Sequence, residues 1–422
     1  MRQPTKWVAE GSFMKTTKKF LVGLLAGLSV VVGSLAFAAC GETSSSISDS
    51  SIPDSSIADS SIADSLVEEG ATENLSYQKV ANKDEYMVTG LGAATDSDIV
   101  ISSTYDGLPV TSVGTNAFSD CNSLTSVIIP DSVTSIAYRA FYSCKNLTSV
   151  TIPDSVTSIA GSVFDRCESL TSVTIPDSVK TISTSTFFAC TSLTSVTLSN
   201  SLKTIAANLF NGCTKLTNVT IPDSVTTIGD YAFGYCNGLT SITIPDKVTT
   251  IGYRAFYYCK NLTSATLSEK VTTIGANAFS GCERLQFKKF GNEKYLGSKT
   301  NDYFALIETE NKALNSYTIH TDTKIIANAT FSGCENLTDV TIPENVTFIG
   351  EGAFEYCPNL TSLTISASVT SIGKSTFSYC TGLTNLTFTG TTAQWKKVKK
   401  GTLWNTNVPA TKVVCSDGEV TF

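Results

Sequence analysis

Between Phe118 and Gly390 the chain repeats one arrangement of apolar and polar positions. Phe118, Phe141, Phe164, Phe187, Phe210, Phe233, Phe256 and Phe279 stand 23 residues apart, as do Phe331, Phe354 and Phe377. Counting from each Phe, apolar residues recur at the sixth, ninth, eleventh, fifteenth and eighteenth positions; after Phe164 these are Leu170, Val173, Ile175, Val179 and Ile182. The Val-x-Ile alternation predicts a short strand with one buried face, because successive strand side chains point to opposite sides. Pro153, Pro176, Pro222 and Pro245 then end the strand, since proline has no N–H to give a ladder. The Asp or Glu that commonly follows suits an Asx turn. Val156 and Ile159 make an apolar return leg. The Ala-Phe-x-x-Cys segment, often preceded by Gly (Gly229, Gly252, Gly350), predicts a turn or short 3-10 piece. What remains of the period is too short for an ordinary helix. A fixed period of this length predicts a solenoid, in which each coil buries its apolar face against its neighbours.

The pattern has one interruption and two ends. Phe279 to Phe331 spans 52 residues, two periods plus six. Leu314, Tyr317, Ile319 and Ile326 fit a second coil with Glu308 at its Phe position, which places the extra residues within 288–302. Gly291, Asn292, Gly297, Asn301 and the interleaved lysines predict an exposed loop there, a candidate binding loop or a tolerated insertion. Terminal coils need polar covers. Strands at Tyr86–Gly90 and Asp98–Ile101 are expected in an N-terminal cap over 75–117, with the solenoid over 118–390. A short helix over 391–400, with Trp395 and Trp404 plugging the last coil, is expected in a C-terminal cap over 391–422.

The Leu-x-x-Val-x-Ile core with Cys ahead of it resembles the leucine-rich repeat. The period of 23, the Ile-Pro-Asp/Glu turn and the Ala-Phe-x-x-Cys signature resemble the BspA-like leucine-rich repeat proteins of bacterial surfaces. The resemblance covers roughly residues 85–415. It implies a right-handed, curved repeat solenoid, mostly β with short turns and a parallel sheet on the concave side. It also implies surface display and adhesion to host or neighbouring-cell proteins, as known for some members.

The N-terminus agrees with display. Lys15, Lys18 and Lys19 precede an apolar run from Phe20 to Ala39, the arrangement of a secretory signal with Met14 as its start. Two cleavage readings compete: the small-x-small site Ala36-Phe37-Ala38, and Phe37-Ala38-Ala39-Cys40, which resembles a bacterial lipobox and implies lipidation of Cys40. An uncleaved membrane anchor is the third reading. Residues 40–74, rich in Ser and Asp and without aromatics, predict a disordered tether. As a flexible coil it spans roughly 30–35 Å.

Composition narrows the partner. Residues 1–39 carry five basic residues and one acid; without them 36 acids face 25 bases, a net charge of −11. That disfavours nucleic acid, whose phosphates need a basic surface. His320 is the only histidine, which leaves general-base and metal chemistry with little to work with. The coil cysteines, from Cys121 to Cys380, come one per coil with no Cys-x-x-Cys pair, so zinc is not expected. In-register side chains run parallel and keep the coil spacing, so a buried, reduced thiol ladder is expected rather than disulfides. The acidic column Asp131, Asp154, Asp177 suits turn capping, with calcium binding as the alternative.

Two surfaces remain as candidate sites. The outward strand positions are nearly all hydroxyl, including Thr240, Ser241, Thr243 and Thr263, with Asn218, Asp339 and Asn385 as variations. They suit either simple solvation or a long polar groove for a protein or glycan. Tyr235 and Tyr258 recur on adjacent coils, as do Tyr356 and Tyr379, and such pairs anchor partners or cover turns. Lys396, Lys397, Lys399 and Lys400 offer a cluster for an anionic wall polymer or a solvated face. The resulting expectation is an exported, lipid-anchored cell-surface protein, monomeric and without cofactor or metal, that binds an extracellular protein or glycan. A structural envelope protein is the alternative. No nucleophile–base pair supports an enzyme.

Overall fold

The computed structural model describes residues 70–422. The signal segment, Cys40 and nearly all of the tether lie outside the described residues.

The repeat folds into a parallel β-solenoid of about fourteen coils. Each regular coil contributes two strands. In the coil that starts at Phe164 the longer is Ser172–Thr174 and the shorter is Thr181–Ile182. Pairing is parallel and its register equals the period: Val173 faces Val196, and Ile182 faces Ile159. Long strands therefore stack into one face and short strands into another. Val173 and Ile175 are buried, whereas Ser172 and Thr174 are exposed.

The Phe column is the centre of the core. The rings from Phe118 to Phe279 are buried and stack with centroids 5.0–5.7 Å apart. Each Phe sits in a turn whose residues two before and two after it are left-handed, such as Arg139 (φ 55°) and Ser143 (φ 58°). Left-handed backbone costs a non-glycine residue about 1–2 kcal/mol. Hydrogen bonds between coils offset it. Phe118 N donates to Ala140 O, and Asp120 N to Tyr142 O, both at 2.7 Å.

Repeated polar side chains satisfy carbonyls of the preceding coil. Cys144 Sγ donates to Phe118 O at 2.9 Å, and Cys380 Sγ to Phe354 O at 3.0 Å. Thr194 Oγ1 donates to Thr171 O at 3.0 Å, Ser178 Oγ to Val156 O at 2.7 Å, and Asn146 Nδ2 to Asn122 O at 2.7 Å. All described cysteines are free thiols. Burial pushes the Cys144 thiol up to about 12, which disfavours the reactive thiolate.

Both ends are closed by antiparallel pairs. Ser76–Lys79 pairs with Tyr86–Gly90, which heads the short-strand sheet, while Asp98–Val100 heads the long-strand sheet. At the other end the helix Thr392–Lys397 starts from a Thr391/Gln394 capping box. Trp404 packs edge-on against Phe377 at 6.1 Å, and Trp395 lies 6.0 Å from Trp404. Lys400 leaves the basic cluster: its Nζ donates to Trp395 O and Val398 O at 2.9 Å and sits over the Trp395 ring.

The interruption differs from the expected loop. Lys288–Phe290, Glu293–Leu296 and Ala305–Thr309 form an antiparallel meander, and only the stretch around 297–302 is loop. Leu306 pairs with Ile326 as Ile326's strand pairs with Ile349's, so Leu306 holds the eighteenth position of its coil. Ile274 to Leu306 is 32 residues and Leu306 to Ile326 is 20, so one coil has gained nine residues and the next has lost three. The lost residues are the Phe turn. Glu308 stands in a strand instead, 2.7 Å from Lys294.

The meander also divides the core. Ala305, Ile307, Ile325 and Ala327 belong to the apolar cluster that begins at Leu75; Leu306 and Ile326 belong to a second one that runs to Cys415. One sheet thus has both faces buried and forms a partition between two blocks of coils.

A cleft in the strand face and a tyrosine edge

The long-strand ladder is not continuous. Ser195–Thr197 pairs with Asn218–Val219, and Ser241–Thr243 pairs with Ser264–Thr266, but among the described residues no ladder joins Asn218–Val219 to Ser241–Thr243. The short strands of the same coils remain paired, Thr204 with Thr227 and Thr227 with Thr250. The coils therefore splay like a fan hinged at the short-strand side. The Phe column records it: Phe210 and Phe233 are inclined by 21°, against 4° to 9° at the other junctions from Phe118 to Phe279.

The splay opens a cleft of about 510 Å³ between the two strands. Asn218, Thr220, Ser241 and Thr243 line it, Asp223 and Asp246 stand at its turn end, and Lys299 of the inserted loop reaches its mouth. Lys299 Nζ lies 3.4 Å from Asp246 Oδ1. The loop is pinned there: Ser298 Oγ and Thr300 Oγ1 both donate to Glu269 Oε1, and Leu267 N donates to Gly297 O at 3.0 Å. Ser241 and Thr243 make no side-chain hydrogen bond within the described residues. They are open to a ligand.

The structure thus brings together two separate sequence candidates, the hydroxyl face at Ser241 and Thr243 and the insertion. It engages the hydroxyl of one further candidate. Thr263 Oγ1 donates to Thr240 O at 2.9 Å, one step of the threonine ladder that also links Thr194 to Thr171. Thr240 and Thr263 are both exposed; the ladder occupies the Thr263 hydroxyl, whereas Thr240 enters it only through its carbonyl. No feature of the sequence marks the splay, because the coils on either side of it follow the same pattern.

The tyrosines lie elsewhere, on the Phe turns. Tyr235, Tyr258, Tyr356 and Tyr379 all occupy the left-handed position two after Phe, with φ between 54° and 61°. Glycine takes that position at Gly212, Gly281 and Gly333. Tyr235 stacks on Tyr258 at 5.7 Å, and Tyr356 on Tyr379 at 4.6 Å with planes 1° apart. Beside the first pair, Arg254 Nη1 donates to Tyr231 Oη at 2.6 Å, and its guanidinium sits over Tyr253 and Tyr257. Sequence reasoning missed that cluster, although Tyr253-Arg254 and Tyr257-Tyr258 in one coil were signals for it.

Comparison with known proteins places this geometry. The pattern described as the BspA type leucine-rich repeat region matches residues 111–239, 187–305 and 309–416, in six copies. The chain belongs to this family. BspA-type repeat proteins are surface proteins of the leucine-rich repeat class. No curated protein matches the chain. Among solved structures, a leucine-rich cell surface protein from Faecalibacterium prausnitzii is 28% identical, with 78% of this chain and 96% of that one covered and a TM-score of 0.44. A leucine-rich repeat protein from Bacteroides ovatus is 26% identical, covering 82% and 94%, with a TM-score of 0.40. The leucine-rich repeat protein of T. pallidum is 31% identical over 50% of this chain and 88% of its own, with a TM-score of 0.41.

Proposed function

We propose that this BspA-type chain is an exported, lipid-anchored surface protein that binds an extracellular protein or glycan, adhesin-like, at the cleft between Asn218–Val219 and Ser241–Thr243. The observation that carries the reading is the cleft itself. Two strands with unpaired backbone groups, hydroxyls without internal partners and a pinned lysine converge on one opening. Unpaired strand groups are ready to pair with an incoming chain or with polar ligand groups. The basic, then apolar N-terminus ending in Ala39-Cys40 supports export and anchoring. Binding is favoured over catalysis because the Ser241 and Thr243 hydroxyls are hydrogen-bonded to no base within the described residues: of the two carboxylates at the turn end of the cleft, Asp246 faces Lys299 and neither Asp223 nor Asp246 contacts a hydroxyl of the strands.

The test is a pull-down from host matrix and from isolated cell wall, followed by variants. Thr243→Glu and Lys299→Glu should each weaken capture of the partner at least tenfold. Lys396→Glu should leave it unchanged. Loss of capture on changing Lys396 and Lys399, with the cleft variants intact, would assign binding to the C-terminal lysines and an anionic polymer.

A further inference from the structure

The two tyrosine pairs are asymmetric, and the asymmetry exposes a ring face. Each pair stacks from one coil to the next, Tyr235 on Tyr258 and Tyr356 on Tyr379, and Tyr258 in turn lies against the following coil, where a Cβ added at Gly281 would be 2.7 Å from its ring. The second ring of each pair therefore covers the far face of the first. The near face of the first ring looks back over the preceding coil, where the same column holds glycine, Gly212 before Tyr235 and Gly333 before Tyr356. A Cβ added at Gly333 would meet no atom within 4 Å. Tyr235 and Tyr356 are accordingly 42% and 52% exposed, against 36% and 39% for Tyr258 and Tyr379.

The notch at Gly333 is the more open one. The coil before it has lost its Phe turn, so no left-handed residue of that column lies beneath. The space is walled by Tyr356, floored by Gly333 and rimmed by polar groups. Lys312 Nζ donates to Ser332 O at 2.5 Å, and Glu335 N donates to Gly333 O at 2.9 Å with its carboxylate exposed.

We infer that the Gly333–Tyr356 notch binds one pyranose ring of a glycan, and that Gly212–Tyr235 is a second notch of the same kind. The notch is one coil thick, about 4.8 Å, the thickness of a single ring. It offers one apolar aromatic face, which suits the C–H face of a sugar, and a rim of both donors and acceptors, which suits ring hydroxyls. An aromatic side chain of a peptide would stack equally well but has no peripheral hydroxyls to use Lys312 and Glu335. Single-ring contacts are weak, and two notches on one chain raise the avidity for a long polysaccharide. The inference deepens the surface-binding reading by naming a ligand class, but it concerns a site outside the cleft.

The experiment uses the full chain and a panel of soluble tetrasaccharides of glucose, galactose, mannose and N-acetylglucosamine, read by saturation-transfer NMR and titration calorimetry. At least one should bind. Tyr356→Gly should abolish binding at this notch, halving the calorimetric stoichiometry, while leaving the melting temperature equal or higher, since glycine suits the left-handed backbone. Gly333→Tyr should remove the same site by extending the stack into the notch, a residue the neighbouring coils already accept. Adding Tyr235→Gly should abolish the remainder. Thr243→Glu should change nothing, so failure here and failure of the cleft reading are separable. Absence of binding by every saccharide, or binding indifferent to Tyr356→Gly and Gly333→Tyr, would overturn the inference. So would variants that lose an aromatic peptide from an array and no sugar.

Discussion

A coil of this chain is held by a few residues that meet their own kind in the coils on either side. Phe233 stacks on Phe256 at 5.2 Å and on Phe210 at 5.5 Å, and is fully buried. Phe233→Ala should cost about 3–5 kcal/mol in denaturant unfolding, the range for large-to-small changes in packed cores. Phe377, next to the terminal cap, should cost less; a loss below about 1 kcal/mol at Phe233 would contradict its place in the core. Glu293 makes a different prediction. It is buried in the meander, and burial raises its carboxyl above the ordinary value, outweighing the backbone N–H groups that favour the charge. A raised folded-state value means that the folded chain holds this proton more tightly than the unfolded chain. Stability is then lost as pH climbs through that range and stays lost at neutrality. Glu293→Gln should raise the melting temperature at pH 7 and give little or no gain at pH 4. An equal gain at both would show that ionisation is not the cause. At this scale the sequence was readable, because Phe, Cys, Thr and Asn recur at fixed offsets. Their reasons were not: the thiol and hydroxyl bonds to the preceding coil depend on geometry that spacing alone does not supply.

Among elements, the regular strands were legible and the meander was not. The alternation Val173-x-Ile175 and the proline after it define a strand without further information. Residues 288–302 carry the opposite signals, with lysines where a buried face would need apolar groups. Those lysines are satisfied across the meander, Lys289 by Glu310 at 2.8 Å and Lys288 by Asp302 at 3.0 Å. Phe290-Gly291-Asn292-Glu293 did contain a usable cue, since Gly-Asn between two runs is a two-residue hairpin signal. The cleft left no cue, because splaying is a property of two coils together. Its candidate residues were half legible: Ser241 and Thr243 were on the predicted face, whereas Lys299 reaches them only because Ser298 and Thr300 fasten the loop to Glu269. Surface ion pairs such as Lys299–Asp246 are worth little in themselves. The effect of Lys299→Glu should therefore appear in partner capture and leave thermal stability nearly unchanged.

At the largest scale the described residues form two blocks with separate apolar clusters on either side of a shared sheet. Repeat proteins lose cooperativity where neighbouring units couple weakly. Trp395 and Trp404 both lie in the second block, so in a Trp7→Phe background tryptophan fluorescence follows that block while far-UV circular dichroism follows both. Phe164→Ala should move the circular-dichroism midpoint and leave the fluorescence midpoint in place; Phe377→Ala should move the fluorescence. Equal shifts by both probes in both variants would mean that the partition sheet transmits the full coupling. Within a block the side-chain ladders share one form: a coil donates from Cys, Thr, Ser or Asn to the coil before it and accepts the same bonds from the coil after it. A 23-residue unit thus carries both the plug and the socket of its own joint. Removing or duplicating a whole unit by recombination leaves each remaining joint complete, and changes only how far the surface extends, by about 4.8 Å per unit. Reach is therefore a heritable dimension that can drift freely in such a chain, while any insertion out of step with the unit must, like the meander, build a partition of its own.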